Sequence, residues 1–177
     1  MTNKANPLPP LDVLNSTFEI RDGELLTKVK WGRNRFPVGY RVGTLSKGYL
    51  LVKFEQKRYS VHRIIFYMTH GYCPEYLDHI DGNRLNNRIE NLRPATQAQN
   101  LSNRTMSSNN TSGVKGVSWN KVKKLWEAEI GYNHQRKRLG YFKSLDLAEE
   151  FVDLARQLVH GDFANNGTHK GARYADV

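Results

Sequence analysis

One short segment of the chain carries side chains that suit acid–base or metal chemistry. A carboxylate and an imidazole are adjacent at Asp78 and His79, and amides follow at Asn91 and Asn100. Imidazole changes its protonation near neutral pH, and carboxylate and amide oxygens suit hard divalent cations. An Asp-His pair by itself is more often structural or merely exposed, so its meaning depends on how the surrounding chain positions it.

The backbone around this pair must bend if both side chains are to act together. Adjacent residues of a straight strand point to opposite faces, and Asp81-Gly82-Asn83 supplies the residue types of a turn. Further on, Thr96 and Gln99 have the spacing of a capping box, which predicts a helix through Arg104. That helix would carry Asn100.

Upstream of the pair, the pattern predicts short strands followed by a helix. Asp22-Gly23 is a hairpin turn sequence, and Lys47-Gly48 precedes the alternating run from Tyr49 to Phe54, which predicts a strand. Residues His62 to His70 have apolar positions at helical spacing, and Gly71 is a typical helix stop.

The chain is strongly basic. Its 177 residues include 27 Lys and Arg against 17 Asp and Glu, which gives a formal net charge of +10. This charge attracts polyanions, but ribosomal proteins, RNA-binding proteins and nucleases all share it. The single Cys73 excludes an intramolecular disulfide, a four-cysteine zinc site and a Cys-X-X-Cys redox pair.

The sequence contains no pattern typical of secretion or of a membrane anchor. Residues 1–10 are polar and proline-rich, which is unlike a signal peptide and predicts a flexible tail. No run approaches the roughly 18 apolar residues that a membrane span needs. We therefore expect a soluble, cytoplasmic protein with no membrane partner.

Positive charge is concentrated between Lys28 and Arg63, where ten basic residues accompany one acid, Glu55. A run of this kind also fits a solvated face. The bias in sign, together with the aromatic residues interleaved with it, favours a β surface that faces nucleic acid. The basic side chains that we expect to contact DNA here are Arg33, Arg35, Arg41 and Arg63.

The segment from Leu77 to Asn100 resembles the HNH endonucleases. It contains D-H-x-D-G-N, then N-N-x-x-x-N-L, then an asparagine nine residues further on, which is the pattern of the homing-type and phage-type branch. Val61-His62-Arg63, which commonly precedes the motif in this branch, is also present. The resemblance implies a ββα-metal fold, in which two strands, a loop and a helix surround one divalent ion.

The resemblance also implies a role for each residue of the motif. His79 would be the general base, and Asn91 would fix the loop and help to orient that base. Asp78 and Asn100 would be the metal ligands. Asn100 stands where many relatives have His, and an oxygen-rich site suits Mg²⁺ better than Zn²⁺, with Mn²⁺ also possible. The reaction would need one metal ion and leave 5′-phosphate and 3′-hydroxyl ends. The charged donors that could hold neighbouring phosphates are Arg93 and Arg104.

The C-terminal third of the chain predicts three strands and one helix. The strands fall near Val114–Trp119, Leu125–Ile130 and Arg136–Tyr141. A long amphipathic helix follows, with Asp146 and Glu149 as its N-terminal cap. The positions of this helix that we expect to be buried are Ala148, Phe151, Ala155 and Leu158.

Residues 113–165 resemble an Apetala2-type DNA-binding domain, through Lys115-Gly116-Val117-Ser118-Trp119 and the strands and helix that follow. Such a domain lays a three-stranded antiparallel sheet into the major groove and packs its helix behind the sheet. If Ala128 and Ile130 pack on the helix, strand alternation turns Glu129 outward. A small α+β domain with incidental positive charge is the alternative. The residues that we expect to face DNA are Lys115, Ser118, Trp119, Glu129, Arg136 and Arg138; Ser118 and Gly131 stand where the family often has arginine.

Together these features predict an α+β protein made of several modules. Residues 1–60 would form a tail and a basic β-rich module, and residues 61–105 the ββα-metal nuclease core. Residues 106–112 are small and polar, which is typical of a linker. Residues 113–165 would form the second DNA-binding module, and residues 166–177 a flexible tail.

The predicted function is a site-directed DNA endonuclease of a phage or mobile element, acting on double-stranded DNA in the cytoplasm of a bacterial host. A single site would nick one strand, and two copies that pair or act in sequence would cut both. We expect a monomer or a weak dimer on DNA. A non-catalytic DNA-binding regulator and a nuclease specific for branched DNA or RNA are the alternatives.

Overall fold

The structure is a computed structural model that describes residues 7–33, 35–103, 106–107, 109–132 and 135–167. The chain divides into two compact units, Met1–Pro94 and Ala95–Val177. Small antiparallel sheets and four α-helices make up the described part, which confirms the predicted α+β class. Within that part, no helix is long and apolar enough to cross a membrane. Arg104 lies outside the described residues.

The first unit begins with a helix and a hairpin. Helix α1 (Leu11–Thr17) leads into strands β1 (Phe18–Arg21) and β2 (Glu24–Thr27), which pair antiparallel. Asp22 and Gly23 form the two-residue turn with φ angles of 50° and 78°. Both angles are left-handed, as the tightest hairpin turns require, so the hairpin predicted from Asp-Gly is confirmed.

A three-stranded antiparallel sheet and a helix follow. Strands β3 (Thr44–Ser46), β4 (Tyr49–Phe54) and β5 (Lys57–Ser60) pair in that order. Helix α2 (Val61–His70) starts directly after β5, and Gly71 ends it with a φ of 76° and an N–H that donates to the Tyr67 carbonyl. The predicted strand and helix are both present.

The last part of the first unit contains the motif as far as Asn91. Strand β6 (Tyr76–His79) pairs with β7 (Leu92–Ala95), and a 3₁₀ turn (Ile89–Asn91) precedes β7. The core beneath these elements joins α1, the hairpin, β4 and α2, so the strand that carries the Asp-His pair lies against a packed interior. Its fully buried side chains include Leu14, Phe18, Leu25, Ile64, Ile65 and Phe66.

The second unit contains a three-stranded sheet with one long helix. Helix α3 (Gln97–Ser102) comes first, followed by the antiparallel strands β8 (Val117–Asn120), β9 (Leu125–Tyr132) and β10 (Gln135–Phe142). Strand β9 is central, and helix α4 (Leu145–His160) packs on the sheet. The side chains between them are Val114, Val117, Ala128, Ala148 and Val152.

Two details of α4 were predicted wrongly. Its N-cap is Ser144, whose hydroxyl accepts from the N–H groups of Asp146 and Leu147, so the cap is not the Asp146–Glu149 pair. The buried positions are Ala148, Val152 and Arg156, while the expected Phe151 and Leu158 are exposed.

The physical reason is a buried arginine. The guanidinium of Arg156 donates to Asp153, to Asn166 and to the Lys115 carbonyl, and these acceptors satisfy it inside the unit. A charged residue therefore occupies a core-facing position of the helix, and the buried face is rotated away from Phe151 and Leu158.

Candidate active site

The end of β6 buries the Asp-His pair. Leu77, Asp78 and His79 are all buried, which shows that both faces of the strand are covered at this point. The chain then turns, because the Gly82 N–H donates to the His79 carbonyl at 2.9 Å and Gly82 has a φ of 70°. Both side chains are thus held on β6, a strand that contributes Leu77 to the core.

The imidazole of His79 is fixed by a residue that the sequence analysis did not single out. Its Nε2 atom lies 3.0 Å from Oδ1 of Asn87, which is itself almost fully buried. An amide oxygen only accepts, so Nε2 carries the proton and Nδ1 keeps its lone pair. Among the described residues, Nδ2 of Asn87 has no hydrogen-bond partner. A buried unsatisfied donor is costly, and its position beside His79 favours a functional role for this loop.

Burial keeps the imidazole uncharged. Desolvation lowers the pKa of His79 below its ordinary value of 6.5, and this outweighs the hydrogen bond to Asn87 and the carboxylates of Asp81 and Asp78, which act in the opposite direction. At neutral pH the ring is therefore in the form that can accept a proton.

A second imidazole lines the site. The ring of His62, from the start of α2, lies 5.0 Å from the ring of His79, and the ring of Tyr49 lies 5.3 Å from that of His62. Burial, helped by the charges of His79 and Arg63, lowers the pKa of His62 to about 3. His62 therefore places an uncharged imidazole ring beside His79. The contact between the rings of His62 and His79 was not predicted from the sequence.

Asp78 is paired with an arginine from the adjacent strand. Nη2 and Nε of Arg93 lie 2.9 Å and 3.0 Å from Oδ2 of Asp78, and both side chains are largely buried. Arg93 was expected to hold a DNA phosphate, and that role stays a prediction. In the structure its guanidinium lies on the carboxylate to which the resemblance assigns the metal.

Asn91 lies at the centre of the loop between β6 and β7. Its Nδ2 donates to Oδ1 of Asp81 at 2.9 Å and to the Asn86 carbonyl at 2.8 Å, and its Oδ1 accepts from the Asp81 N–H at 3.0 Å. Desolvation would raise the pKa of Asp81, but hydrogen bonds from Asn86, Asn91 and the Asn83 backbone outweigh it and lower that pKa. The carboxylate of Asp81 is therefore occupied by hydrogen bonds within the loop.

Asn100 belongs to the second unit. It lies on α3, where the Thr96–Gln99 capping box is present as predicted, and its N–H donates to the Thr96 carbonyl at 3.0 Å. Its distance from Asp78 stays a prediction. In the described ranges no three His, Cys, Asp or Glu side chains cluster as a metal site. The remaining donors, a carboxylate and an amide oxygen, fit a cation such as Mg²⁺ that keeps most of its waters.

The arginines expected to contact DNA in the first unit differ in their surroundings. Arg33 and Arg35 are exposed, and Arg35 lies 5.6 Å over the Phe36 ring. Arg41 is exposed and pairs with Glu24 at 3.1 Å. Arg63 donates to the carbonyls of Pro74 and Glu75, so its guanidinium fixes the chain before β6.

In the second unit, the expected DNA-facing residues divide in the same way. Nζ of Lys115 donates to the Ser102 and Asn165 carbonyls, and burial lowers its pKa to about 8, so its ammonium group is engaged within the unit. Glu129 is half-buried. The side chains that are exposed are Ser118, Trp119, Arg136 and Arg138.

Arg138 has a partner that the sequence did not indicate. Its Nε donates to Glu127, which also accepts from Nδ2 of Asn120 at 2.9 Å. These hydrogen bonds lower the pKa of Glu127, and the bond from Asn120 has the largest effect. The outer face of the sheet therefore carries an ordered network of opposite charges.

Comparison with known proteins agrees with the geometry. Residues 59–102 match the family model described as HNH endonuclease. The chain is 36% identical over 107 residues to "Protein 3.8" of Escherichia phage T7, covering 58% of this chain and 86% of the relative. It is 32% identical over 145 residues to a protein of Acanthamoeba polyphaga mimivirus named as an uncharacterised HNH endonuclease, covering 79% of this chain and 67% of the relative. No solved structure matches this chain.

Proposed function

This chain belongs to the HNH endonuclease family, and we propose that it hydrolyses phosphodiester bonds of double-stranded DNA with His79 as the general base. The observation that carries the proposal is the buried His79, with Nε2 held 3.0 Å from Asn87 Oδ1 and the carboxylate of Asp78 next to it in the chain. Because the tautomer is fixed and the lowered pKa leaves the ring uncharged at neutral pH, the imidazole is in the form that can accept a proton there.

The proton moves from the attacking water to Nδ1 of His79. Asn87 keeps Nε2 protonated throughout, so the imidazolium that forms retains its hydrogen bond. His62 and Tyr49 cover the site beside the ring and limit its contact with bulk water. Asn91 holds the loop in place while DNA binds.

HNH nucleases generally depend on a divalent metal, and here Asp78 and Asn100 would hold it, with Mg²⁺ or Mn²⁺ as the candidates. The cation supplies neutralisation of the charge that accumulates on the phosphorus oxygens and the 3′ leaving oxygen. Arg93 fixes the Asp78 carboxylate from the side. The products would carry 5′-phosphate and 3′-hydroxyl ends.

The two flanking regions would hold the DNA. Exposed Arg33, Arg35 and Arg41 support backbone contact by the basic module of residues 1–60. The outer face of the β8–β10 sheet, with Ser118, Trp119, Arg136 and Arg138, supports the Apetala2-like role of residues 113–165. Two DNA-contacting modules in one chain with the nuclease motif suit a phage or mobile-element homing nuclease that acts in the cytoplasm of the host better than a nuclease of low specificity.

Nicking of supercoiled plasmid with Mg²⁺ tests the proposal. The wild type and His70→Ala, a change at the exposed end of α2, should nick at the same rate. His79→Ala should be slower by about 100-fold or more, which is the contribution of a general base. Equal rates for wild type and His79→Ala, or no cleavage by either, would contradict the proposal. Branched DNA and RNA as competitors distinguish a structure-specific nuclease.

A further inference from the structure

Helix α4 leaves a stripe of apolar side chains largely exposed, although the Phe151 ring also contacts that of Phe142 at 5.3 Å. Leu147, Phe151, Leu154 and Leu158 are 56%, 47%, 52% and 87% exposed. Single exposed apolar residues are ordinary on protein surfaces, but a contiguous set on one helix marks an interaction surface. We call these four residues the α4 seam.

The spacing of the seam is that of a helix-pairing surface. Successive members are four, three and four residues apart, which is the alternation that keeps apolar side chains in line when two helices pack side by side. The buried face of α4, through Ala148, Val152 and Arg156, lies on a different side of the helix. The seam is thus a second apolar stripe, separate from the one that holds the unit together.

We propose that the α4 seam pairs with the same seam of a second copy of this chain, in antiparallel orientation about a two-fold axis. The four-three-four spacing is identical when read in either direction. An antiparallel pair therefore places Leu147 opposite Leu158 and Phe151 opposite Leu154, which is a self-complementary contact.

The charge distribution along α4 favours one orientation. The acids of α4 (Asp146, Glu149, Glu150 and Asp153) all lie in its first nine residues, and residues 154–160 contain none. Parallel pairing would bring the two acidic segments together, whereas antiparallel pairing separates them and places Glu150 near Gln157 of the other copy. The helix dipoles also oppose each other favourably in this arrangement.

The size of the seam predicts a weak dimer. An exposed patch of this kind covers on the order of 300–600 Å², so two copies would bury about 1,000 Å² in total, at the low end of specific interfaces. The dimer should therefore form at high concentration or on DNA. Two nuclease sites in one complex would then be available, one for each strand.

Sedimentation equilibrium of the full chain tests the pairing without any need for nuclease activity. Between about 1 µM and about 1 mM, the range of weak affinities, the mass should rise from monomer towards dimer. The double change Leu154→Lys with Leu158→Lys should leave a monomer. Val122→Lys is the matched control, since Val122 is a 93% exposed apolar residue in the β8–β9 turn, and it should still dimerise. A wild type that stays monomeric throughout, or a Lys double variant that dimerises like the control, overturns the proposal.

Disulfide cross-linking tests the orientation. In a Cys73→Ser background, Leu147→Cys mixed with Leu158→Cys should form a mixed disulfide dimer under mild oxidation. Neither variant alone should cross-link efficiently, because each cysteine would be opposite a leucine of the other copy. Efficient homodimer cross-linking at both positions would show parallel pairing and would overturn the antiparallel arrangement.

Discussion

Nε2 of His79 lies 3.0 Å from Oδ1 of Asn87, and both side chains are buried. The contact decides which nitrogen of the imidazole is protonated, and hence which one can take a proton from water. Asn87 is eight residues from His79 in the chain, within the loop that Asn91 closes, so the base and the residue that orients it are parts of one structural unit.

Replacing Asn87 by Leu should slow cleavage by about 10- to 100-fold, which is typical for loss of an orienting partner. Asn87→Asp should recover part of this loss, because a carboxylate also accepts from Nε2–H. It should in addition raise the pKa of His79 and move the acid limb of the rate profile upward. Single-turnover nicking across pH measures both effects. If both variants lose activity equally and neither shifts the acid limb of the rate profile, Asn87 has only a packing role.

Cleavage by the wild type should fall at acid pH with a midpoint below 6.5, because burial lowers the pKa of His79. The base works only when neutral, so the rate is full above the folded-state pKa and lost as pH falls through it. Rates at constant ionic strength and saturating Mg²⁺ from about pH 5 to about pH 8 cover the ordinary range of histidine titration. A midpoint above 6.5 would contradict the assignment of an uncharged, buried base.

His62 should make folding stability depend on pH. Its pKa is about 3 in the folded chain and 6.5 in the unfolded chain, so the unfolded state binds the extra proton between these values. Stability is therefore full above 6.5 and declines as pH falls towards 3, by roughly 4 kcal/mol at the lower end. Urea unfolding of wild type and His62→Phe should show a shallower decline in the variant. Parallel curves would mean that other groups cause the loss.

Arg93→Ala should destabilise the first unit by about 3 kcal/mol, since it leaves the buried carboxylate of Asp78 without its ion pair. The double change Arg93→Leu with Asp78→Leu should recover much of this, because neither charge then remains buried. Urea midpoints measure the difference. If Arg93→Ala alone unfolds no more easily than Arg41→Ala, whose exposed pair with Glu24 contributes little, the Asp78–Arg93 pair is not a structural contact.

Some features of the fold follow from local sequence and others do not. The Asp22-Gly23 turn and the Thr96–Gln99 capping box were predictable because the residues that make each one are neighbours in the chain. The Asp78–Arg93 pair joins residues fifteen positions apart and exists only once β6 and β7 pair. Pattern alone could not reveal it.

Helix α4 illustrates a different limit. Its apolar residues cover a wide arc, and periodicity alone does not say which part of the arc faces the sheet. Arg156 decides it, because acceptors from Lys115, Asp153 and Asn166 make burial of a guanidinium acceptable. The same limit applies to Asn87. Its polar side chain would be expected at the surface, and only the folded loop turns it inward.

Gly23→Ala should destabilise the chain by more than about 2 kcal/mol and also slow cleavage. A Cβ at position 23 would lie 2.6 Å from the Arg88 nitrogen and 2.9 Å from the Asn87 carbonyl carbon, and φ is also left-handed. Gly71→Ala is the control, since it has the same backbone strain but nothing within 4 Å of the added Cβ. It should cost about 1 kcal/mol and leave the rate unchanged. Equal losses in the two variants would show that backbone strain alone is responsible.

The contact at Gly23 also limits how far the enzyme can be trimmed. The stretch that matches the family, residues 59–102, omits the hairpin whose turn presses on the backbone of Asn87, and it omits Leu14, Phe18 and Leu25 of the shared core. A peptide cut to residues 59–102 would keep the sequence of the catalytic loop but lose the hairpin that packs against its backbone. Minimal nucleases engineered from this chain must therefore retain the N-terminal region for the shape of the catalytic loop, and not only for its arginines.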